Sequence, residues 1–151
     1  MSASTKLSTA VKAICFLSRN YPEPKSSPEI AENIGINPSK LRKILSMLVK
    51  NDIVSSTHGI SGGFTMSKDS SKLHLQDIYC AIEDRKAFYL DVQKEDIKKN
   101  SVPAQLNSYF LELFSDIQVE IEEKMKNITI KSILENINNK QKNKEHLYGF
   151  P

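Results

Sequence analysis

Two short helical patterns separated by one glycine constrain the fold of this chain more than any other feature. They lie in the run SSPEIAENIGINPSKLRKILSMLVKND, residues 26–52. Ser26 or Ser27 can cap the first helix, and Glu29 completes a capping box if Ser26 is the cap. Gly35 stands where that helix must stop, a common place for a left-handed residue. The run therefore predicts two helices that meet at a tight turn.

The second helix of this pair has one apolar face and one basic face. It begins after Asn37, a capping residue that is followed by proline. At about 100° per residue, its apolar side chains share one side and its basic and hydroxyl-bearing side chains share the other. A basic face directly after a tight turn is typical of a helix that reads the major groove of DNA. The residues predicted to contact DNA in this unit are Ser27, Ser39, Lys40, Arg42, Lys43 and Ser46.

Arg42 is the candidate for a base contact in this set. Its planar fork matches the O6 and N7 acceptors of guanine. The alternative interpretation is that the basic face is only the solvated side of a surface helix. The elements on either side favour the DNA contact, because a turn glycine precedes the helix and a hairpin pattern follows it.

The hairpin pattern begins after Asp52, where the helical period ends. The segment 53–57 is β-branched and short, and the segment 63–67 alternates. The glycine-rich tip between them lets backbone N–H groups approach a phosphate oxygen. His58 can donate to a phosphate or reach a narrow minor groove; the alternative is a polar hairpin residue without a partner. The tip residues predicted to contact DNA are His58, Gly59, Ser61 and Gly62.

The strongest helical pattern begins at Pro103, near the end of the chain. Apolar residues recur there at spacings of three and four over about 24 residues, roughly 36 Å. A small domain does not need so long a helix to cover its own core, so we expect a partner. A two-fold dimer would place two recognition helices about one DNA turn apart. The predicted dimer interface consists of Phe16, from the first helix, and Leu106, Phe110, Leu113, Ile117 and Ile121.

These patterns together predict a mainly α fold with a small β-wing. A helix–turn–helix followed by a two-stranded hairpin is a winged helix, and the long helix is appended to it. The predicted organisation is a winged-helix DNA-binding domain at 1–84, a linker or loop at 85–102, a dimerisation helix with a short terminal helix at 103–138, and a flexible tail at 139–151.

The net charge of +3 is distributed unevenly along the chain. Residues 1–72 hold ten Lys or Arg and five Asp or Glu, whereas the remainder holds eleven and thirteen. A basic first half on a mildly acidic second half fits a DNA-binding head on a non-binding body. No apolar run approaches the roughly 20 residues of a membrane span, and the polar start lacks a signal-peptide core. We therefore expect a cytoplasmic protein.

The remaining reactive residues indicate neither an enzyme nor a metal site. Cys15 and Cys80 cannot form a disulfide framework, and each lies on a predicted helix near apolar residues. Both are expected in the core, with a redox-sensing pair as the alternative. No histidine has a metal-ligand neighbour. The chain also contains no glycine-rich phosphate loop and no nucleophile motif.

Three segments carry a resemblance to a known family. They are STAVKAICFLS, the helix–turn–helix run continued through the wing to Lys68, and LHLQDIYCAIED. They resemble the bacterial IscR/NsrR/CymR-like winged-helix regulators, and the Gly-x-x-Gly-Gly-aromatic wing at 59–64 is the most specific piece. The resemblance implies a homodimeric transcription regulator, usually a repressor, that binds palindromic promoter DNA.

The chain also departs from that family's pattern. Iron–sulfur members carry three cysteines between the helix after the wing and the dimer helix, whereas residues 84–102 contain neither cysteine nor histidine. A cluster needs such ligands, so we expect no cluster and no other cofactor. His58 replaces the usual arginine of the wing, and Arg42 stands where an acidic residue is common, which implies a different operator.

The sequence leaves more than one possibility for the signal that the protein senses and for its function. One candidate signal is oxidation of a thiol. The other is a small molecule or a partner protein that binds between the head and the dimer helix. The alternative function is a winged-helix protein-interaction module that has lost specific DNA binding.

Overall fold

The structure, a computed structural model, describes residues 1–83 and 101–148. Its order of elements confirms a mainly α fold with a small β-wing. Nearly all of the linker predicted at 85–102 lies outside the described residues. The elements are α1 (Ala3–Asn20), α2 (Ser27–Ile34), α3 (Pro38–Lys50), β1 (Val54–Thr57), β2 (Gly63–Met66), α4 (Leu75–Ile82), α5 (Val102–Lys126) and α6 (Ile130–Tyr148).

The turn between α2 and α3 is formed by groups that stand in the helix–turn–helix run itself. Ser26 is the N-cap of α2, and its Oγ accepts from the Glu29 backbone N–H at 3.4 Å. Gly35 ends α2 in the left-handed conformation, with φ of 69°. Asn37 caps α3, and its Oδ1 accepts from the Ser39 backbone N–H at 2.9 Å. These bonds satisfy helix-end groups that would otherwise lack partners, and they set the angle between the two helices.

One continuous core lies beneath α1–α4 and the base of the wing. Each fully buried Leu or Ile contributes about 1.5–3 kcal/mol relative to an exposed one. The apolar face of α3 lies entirely in this core, which orients the helix about its own axis. The fully buried Leu and Ile side chains are Ile14, Leu17, Ile30, Leu41, Ile44, Leu45, Leu48, Ile53, Leu73, Ile78 and Ile130.

The wing is a two-stranded sheet with a third short segment paired to its edge. β1 and β2 are antiparallel, beginning with the pair Val54 and Met66. The Lys25 N–H donates to the Phe64 carbonyl oxygen at 2.9 Å, and the Phe64 N–H donates back at 2.8 Å. A Cβ on Gly63, whose φ is +152°, would lie 2.7 Å from the Lys25 carbonyl oxygen. Glycine is therefore required there, and the pairing ties the wing to the segment that leads into α2.

The junction between α5 and α6 is anchored to the head by backbone hydrogen bonds. The Leu75 N–H donates to the Ile128 carbonyl oxygen at 2.8 Å, and the Ile130 N–H donates to the Leu73 carbonyl oxygen at 2.9 Å. The side chain of Ile130 is fully buried in the core. The helical pair at the end of the chain is thus joined to the segment that precedes α4.

One helix boundary differs from the prediction. Helix α6 continues to Tyr148, so the flexible tail predicted from residue 139 is helical over 139–148, and residues 149–151 lie outside the described part. The segment contains no glycine or proline, and its Lys, Gln and Glu residues are good helix formers, so the helix propagates beyond its packed first turns. Helix α1 begins at Ala3, because Ser2 caps it by accepting from the Thr5 N–H at 3.3 Å.

We expect Ile130→Ala to lower the free energy of unfolding by about 2–5 kcal/mol, because it empties a fully buried site. Urea denaturation at a fixed protein concentration measures the change. Ile60→Ala is the matched control, since the Ile60 side chain is fully exposed, and its effect should stay within about 0.5 kcal/mol. Equal effects of the two substitutions would contradict the packing of the α5–α6 junction against the head.

Candidate nucleic-acid interface

Helix α3 presents its polar side chains to solvent, opposite its buried apolar face. It contains three lysines and one arginine but no acidic residue, so the exposed side is positively charged. None of the basic side chains in its first two turns forms an ion pair with a described residue. The predicted contact residues of α3 that the structure leaves exposed are Ser39, Lys40, Arg42, Lys43 and Ser46.

Two of the predicted contact residues touch each other across the two helices. Ser27 is the first residue of α2, and the Arg42 Nε–H of α3 donates to its Oγ at 3.3 Å. The Ser27 side chain is half-buried, whereas Arg42 is exposed. The sequence pattern contains no sign of this contact, because it depends on how α2 and α3 cross.

The tip of the wing is exposed and is shaped by its glycines. The Gly62 N–H donates to the Gly59 carbonyl oxygen at 3.1 Å, and Gly59 has φ of +107°. His58 and Ser61 are exposed on either side of this turn, and Gly62 is half-buried. The small residues leave backbone groups accessible at the tip, which is the property that a phosphate contact needs.

Lys25 lies beside this surface, but its charge is already paired. Its ammonium group is 3.3 Å from Glu29 Oε1 and 3.4 Å from Glu23 Oε2. The hydrogen bond to Glu29 is the main cause that raises the pKa of Lys25, so its ammonium remains protonated. Lys25 therefore adds no unpaired charge at the entrance to α2, whereas Lys40, Arg42 and Lys43 of α3 form no ion pair with a described residue.

Five of the six predicted dimer residues lie on α5, and they differ in how far their side chains are exposed. Leu106 and Leu113 are exposed at 51% and 37%. Three others on α5 are half-buried, whereas the sixth belongs to α1 and packs against the core. These four are Phe110, Ile117 and Ile121 of α5, and Phe16 of α1.

Two further apolar side chains extend the exposed side of α5. Val102 is exposed at 75% and Tyr109 at 60%, and both were missed as interface candidates. The signal was present in the sequence, because they continue the spacing of three and four through Leu106 and Leu113. These four residues, Val102, Leu106, Tyr109 and Leu113, are called the α5 stripe below.

A layer of polar contacts lies where α5 and α1 meet α4, and sequence patterns did not indicate it. Gln118 of α5 is buried, and its Nε2 donates to Glu122 Oε1 at 2.7 Å. The Lys6 ammonium donates to Glu83 Oε1 at 2.7 Å. Burial raises the pKa of Tyr79 at the same place. Such residues resemble ordinary surface residues until the packing of the helices is known.

The two cysteines lie in different environments. Cys15 is buried in the core, as expected, and burial raises the pKa of its thiol in spite of the nearby charge of Arg19. Cys80 is exposed, so the expectation that it lies in the core was wrong. It stands two positions from both Ile78 and Ile82, and at about 100° per residue their burial turns it towards solvent. Both thiols are free.

The side chains present do not fit an iron–sulfur cluster of the kind that some members of the resembling family carry. Such clusters are held by about four ligands, mainly cysteine thiolates. This chain has two cysteines, one inside the core and one exposed on another helix. Among the residues that the structure describes, no three His, Cys, Asp or Glu side chains form a group that could hold a metal ion.

Alkylation should separate the two thiols. We expect iodoacetamide at neutral pH to modify Cys80 and leave Cys15 unmodified until the protein is unfolded, because a raised pKa and burial both reduce the reactive thiolate. Mass spectrometry of the digested protein, with and without urea, gives the modified fraction at each site. Rapid modification of Cys15 in the folded protein would contradict its place in the core.

Solved structures and sequence relatives share this architecture. IscR from T. potens matches with a TM-score of 0.70 at 22% identity over 93% of this chain and 91% of that one. CymR of B. subtilis, titled the global cysteine regulator, matches with a TM-score of 0.66 at 20% identity over 87% and 95%. These two similarities show the fold.

Within residues 1–83 and 101–148, no helix combines the length and apolar character that crossing a membrane requires.

The sequence relatives include HTH-type transcriptional regulators. YwnA of Bacillus subtilis (strain 168) is 24% identical over 134 residues, covering 89% of this chain and 98% of that protein. IscR of Photorhabdus laumondii subsp. laumondii is 33% identical over 76 residues, covering 50% and 45%. The family model for Rrf2, described as an iron-dependent transcriptional regulator, matches residues 3–136. The chain therefore belongs to the Rrf2 family and is a transcriptional regulator rather than an enzyme.

Proposed function

We propose that this protein is a cytoplasmic, homodimeric repressor that binds palindromic promoter DNA and carries no iron–sulfur cluster. The observation that carries the proposal is the α5 stripe, an exposed row of apolar side chains on the helix that is packed beside the DNA-binding head. A second copy of the chain, placed on this stripe, would pair two basic heads in one molecule.

The energetics of the α5 stripe support a partner. Burying apolar surface contributes roughly 25 cal/mol per Å², and contiguous apolar patches on soluble proteins are mostly interaction sites. The four side chains are spaced by three or four residues, so they form one continuous side of α5. A helix face of this kind is self-complementary about a two-fold axis, which is the commonest symmetry of oligomers.

The two-fold symmetry of the dimer determines the symmetry of the DNA sequence that it binds. Two recognition helices in such a dimer read half-sites about 34–36 Å apart, so the operator repeats as an inverted sequence. The exposed basic side of α3 supplies the groove contacts and the wing tip supplies backbone contacts. Affinity should fall by roughly 0.9 log units per log unit of salt for each phosphate neutralised.

Repression follows from occupancy of promoter DNA, which blocks access without a further activity. Lys40, Arg42 and Lys43 of α3 pair with no carboxylate in the described part of the chain, and they favour this function over a winged-helix module that binds only protein, since such a module has no need of a basic helix face. The effector of the proposed repressor is a small molecule, a partner protein or an oxidant of the exposed Cys80 thiol. A Cys15→Ser, Cys80→Ser variant that still responds to peroxide would exclude the oxidant.

The double substitution Arg42→Ala, Lys43→Ala should abolish binding to the protein's own upstream DNA while the dimer persists. It removes two exposed cations from the proposed groove-facing side of α3 without opening the core. A gel shift at two salt concentrations measures the affinity. Lys72→Ala, Lys131→Ala removes the same charge elsewhere and should retain affinity within about twofold. Full affinity of the α3 variant would contradict the assignment of the recognition helix.

Substitution of the α5 stripe should produce monomers. Leu106→Glu, Leu113→Glu places two charges in the proposed interface, and analytical ultracentrifugation should show the mass of one chain. Operator affinity should drop by about 10²-fold or more, because each half-site is then bound separately. Leu111→Glu, Val119→Glu is the matched control, since both side chains are exposed on other sides of α5, and it should stay dimeric. A dimeric stripe variant would contradict the interface.

A further inference from the structure

We propose that Ser27 is a positioning residue that holds the Arg42 guanidinium ready to read one guanine in each half-site of the operator. This inference rests on the proposed function and adds a base preference to it. The hydrogen bond between Arg42 Nε and Ser27 Oγ, at 3.3 Å, is the observation that carries it.

The hydrogen bond occupies one edge of the guanidinium group. Nε carries a single N–H, so donation to Ser27 uses that group fully. The two terminal nitrogens have no hydrogen-bond partner among residues 1–83 and 101–148, and their outer N–H groups point in parallel from the end of the planar fork. Arg42 is thus left with an end-on pair of donors on the exposed side of α3.

Guanine is the base that complements this pair. In the major groove it presents two acceptors, O6 and N7, on one edge. Adenine presents one acceptor beside an amino donor, thymine one acceptor beside a methyl group, and cytosine an amino donor. A parallel pair of donors therefore discriminates guanine from the other three bases.

The position of Arg42 in α3 favours a base contact over a phosphate contact. It is the fifth residue of α3, and residues near the beginning of a recognition helix reach base edges. Lys40 and Lys43 flank it and supply the compact charges that suit phosphates. In this arrangement Arg42 would contact a base, and the two lysines would contact phosphates.

Ser27 can hold the arginine because it belongs to a rigid part of the head. It follows the capping residue Ser26, and two residues before it the Lys25 backbone is paired with Phe64 of the wing. A flexible arginine that is ordered before binding loses less rotamer entropy when the complex forms. Ser27 acts through Arg42 in this scheme.

Selection of bound duplexes from a random pool, with the full-length protein, identifies the operator. A second selection with Arg42→Ala should lose the preference for one guanine in each half-site and keep the others. Replacement of that guanine by 7-deazaguanine, which lacks the N7 acceptor, in one half-site should weaken the wild-type complex about tenfold. The same replacement should change the affinity of Arg42→Ala by less than about twofold.

Ser27→Ala tests the positioning role separately. The loss of affinity on 7-deazaguanine replacement should shrink from about tenfold in the wild-type protein to about threefold in Ser27→Ala. Ser27→Thr keeps the hydroxyl and should restore the full tenfold loss. Thermal unfolding of both variants controls for the fold, and Lys131→Ala, which lies outside this surface on α6, should behave as wild type.

Three results would overturn the inference, and they differ from one another. Uniform weakening by Arg42→Ala across sequences, with a salt slope reduced by about one, would make Arg42 a phosphate contact. Wild-type discrimination by Ser27→Ala would show that Ser27 positions nothing. Selection of no sequence by the wild-type protein would overturn the proposed function and this inference with it, whereas the first two results leave the proposed function standing.

Discussion

The burial of one side of α3 is the constraint on which the rest of the head depends. Four side chains of α3 are almost completely buried: Leu41, Ile44, Leu45 and Leu48. Rotating α3 so that one of them faced solvent would cost about 1.5–3 kcal/mol of burial free energy. The helix therefore has a single orientation, and its basic side must face solvent. Helices α1, α2 and α4 pack around α3 to provide the other walls of the core.

The surface proposed to contact DNA depends on this orientation of α3 and on a few polar contacts. The reciprocal backbone bonds between Lys25 and Phe64 join the wing to the entrance of α2. The hydrogen bond from Arg42 to Ser27 then connects the entrance of α2 to the exposed side of α3. At the other end of the head, the junction at Ile130 secures α5, whose stripe of apolar side chains is left uncovered.

Local signals in the sequence predicted most of the head, because each acts within a few residues. The capping oxygen of Ser26, the left-handed Gly35 and the cap at Asn37 determine where α2 and α3 begin and end. Polar composition was a poor guide to the end of α6, since a helix already anchored in the core propagates through Lys, Gln and Asn. The expectation for Cys80 failed for a different reason, because it rested on the usual burial of free cysteines, whereas the helical spacing from Ile78 and Ile82 turns residue 80 towards solvent.

Sequence alone was enough to predict the helix–turn–helix, the glycine-rich wing and the periodic apolar side of α5, since these depend on capping groups, backbone conformations and helical spacing close together in the chain. It also determined that only two cysteines are available for any cluster. The pairing of the basic side chains, in contrast, depends on how the helices pack. Lys25 is paired with two carboxylates and Arg42 with a hydroxyl, and such pairings form between side chains whose distance depends on how helices cross.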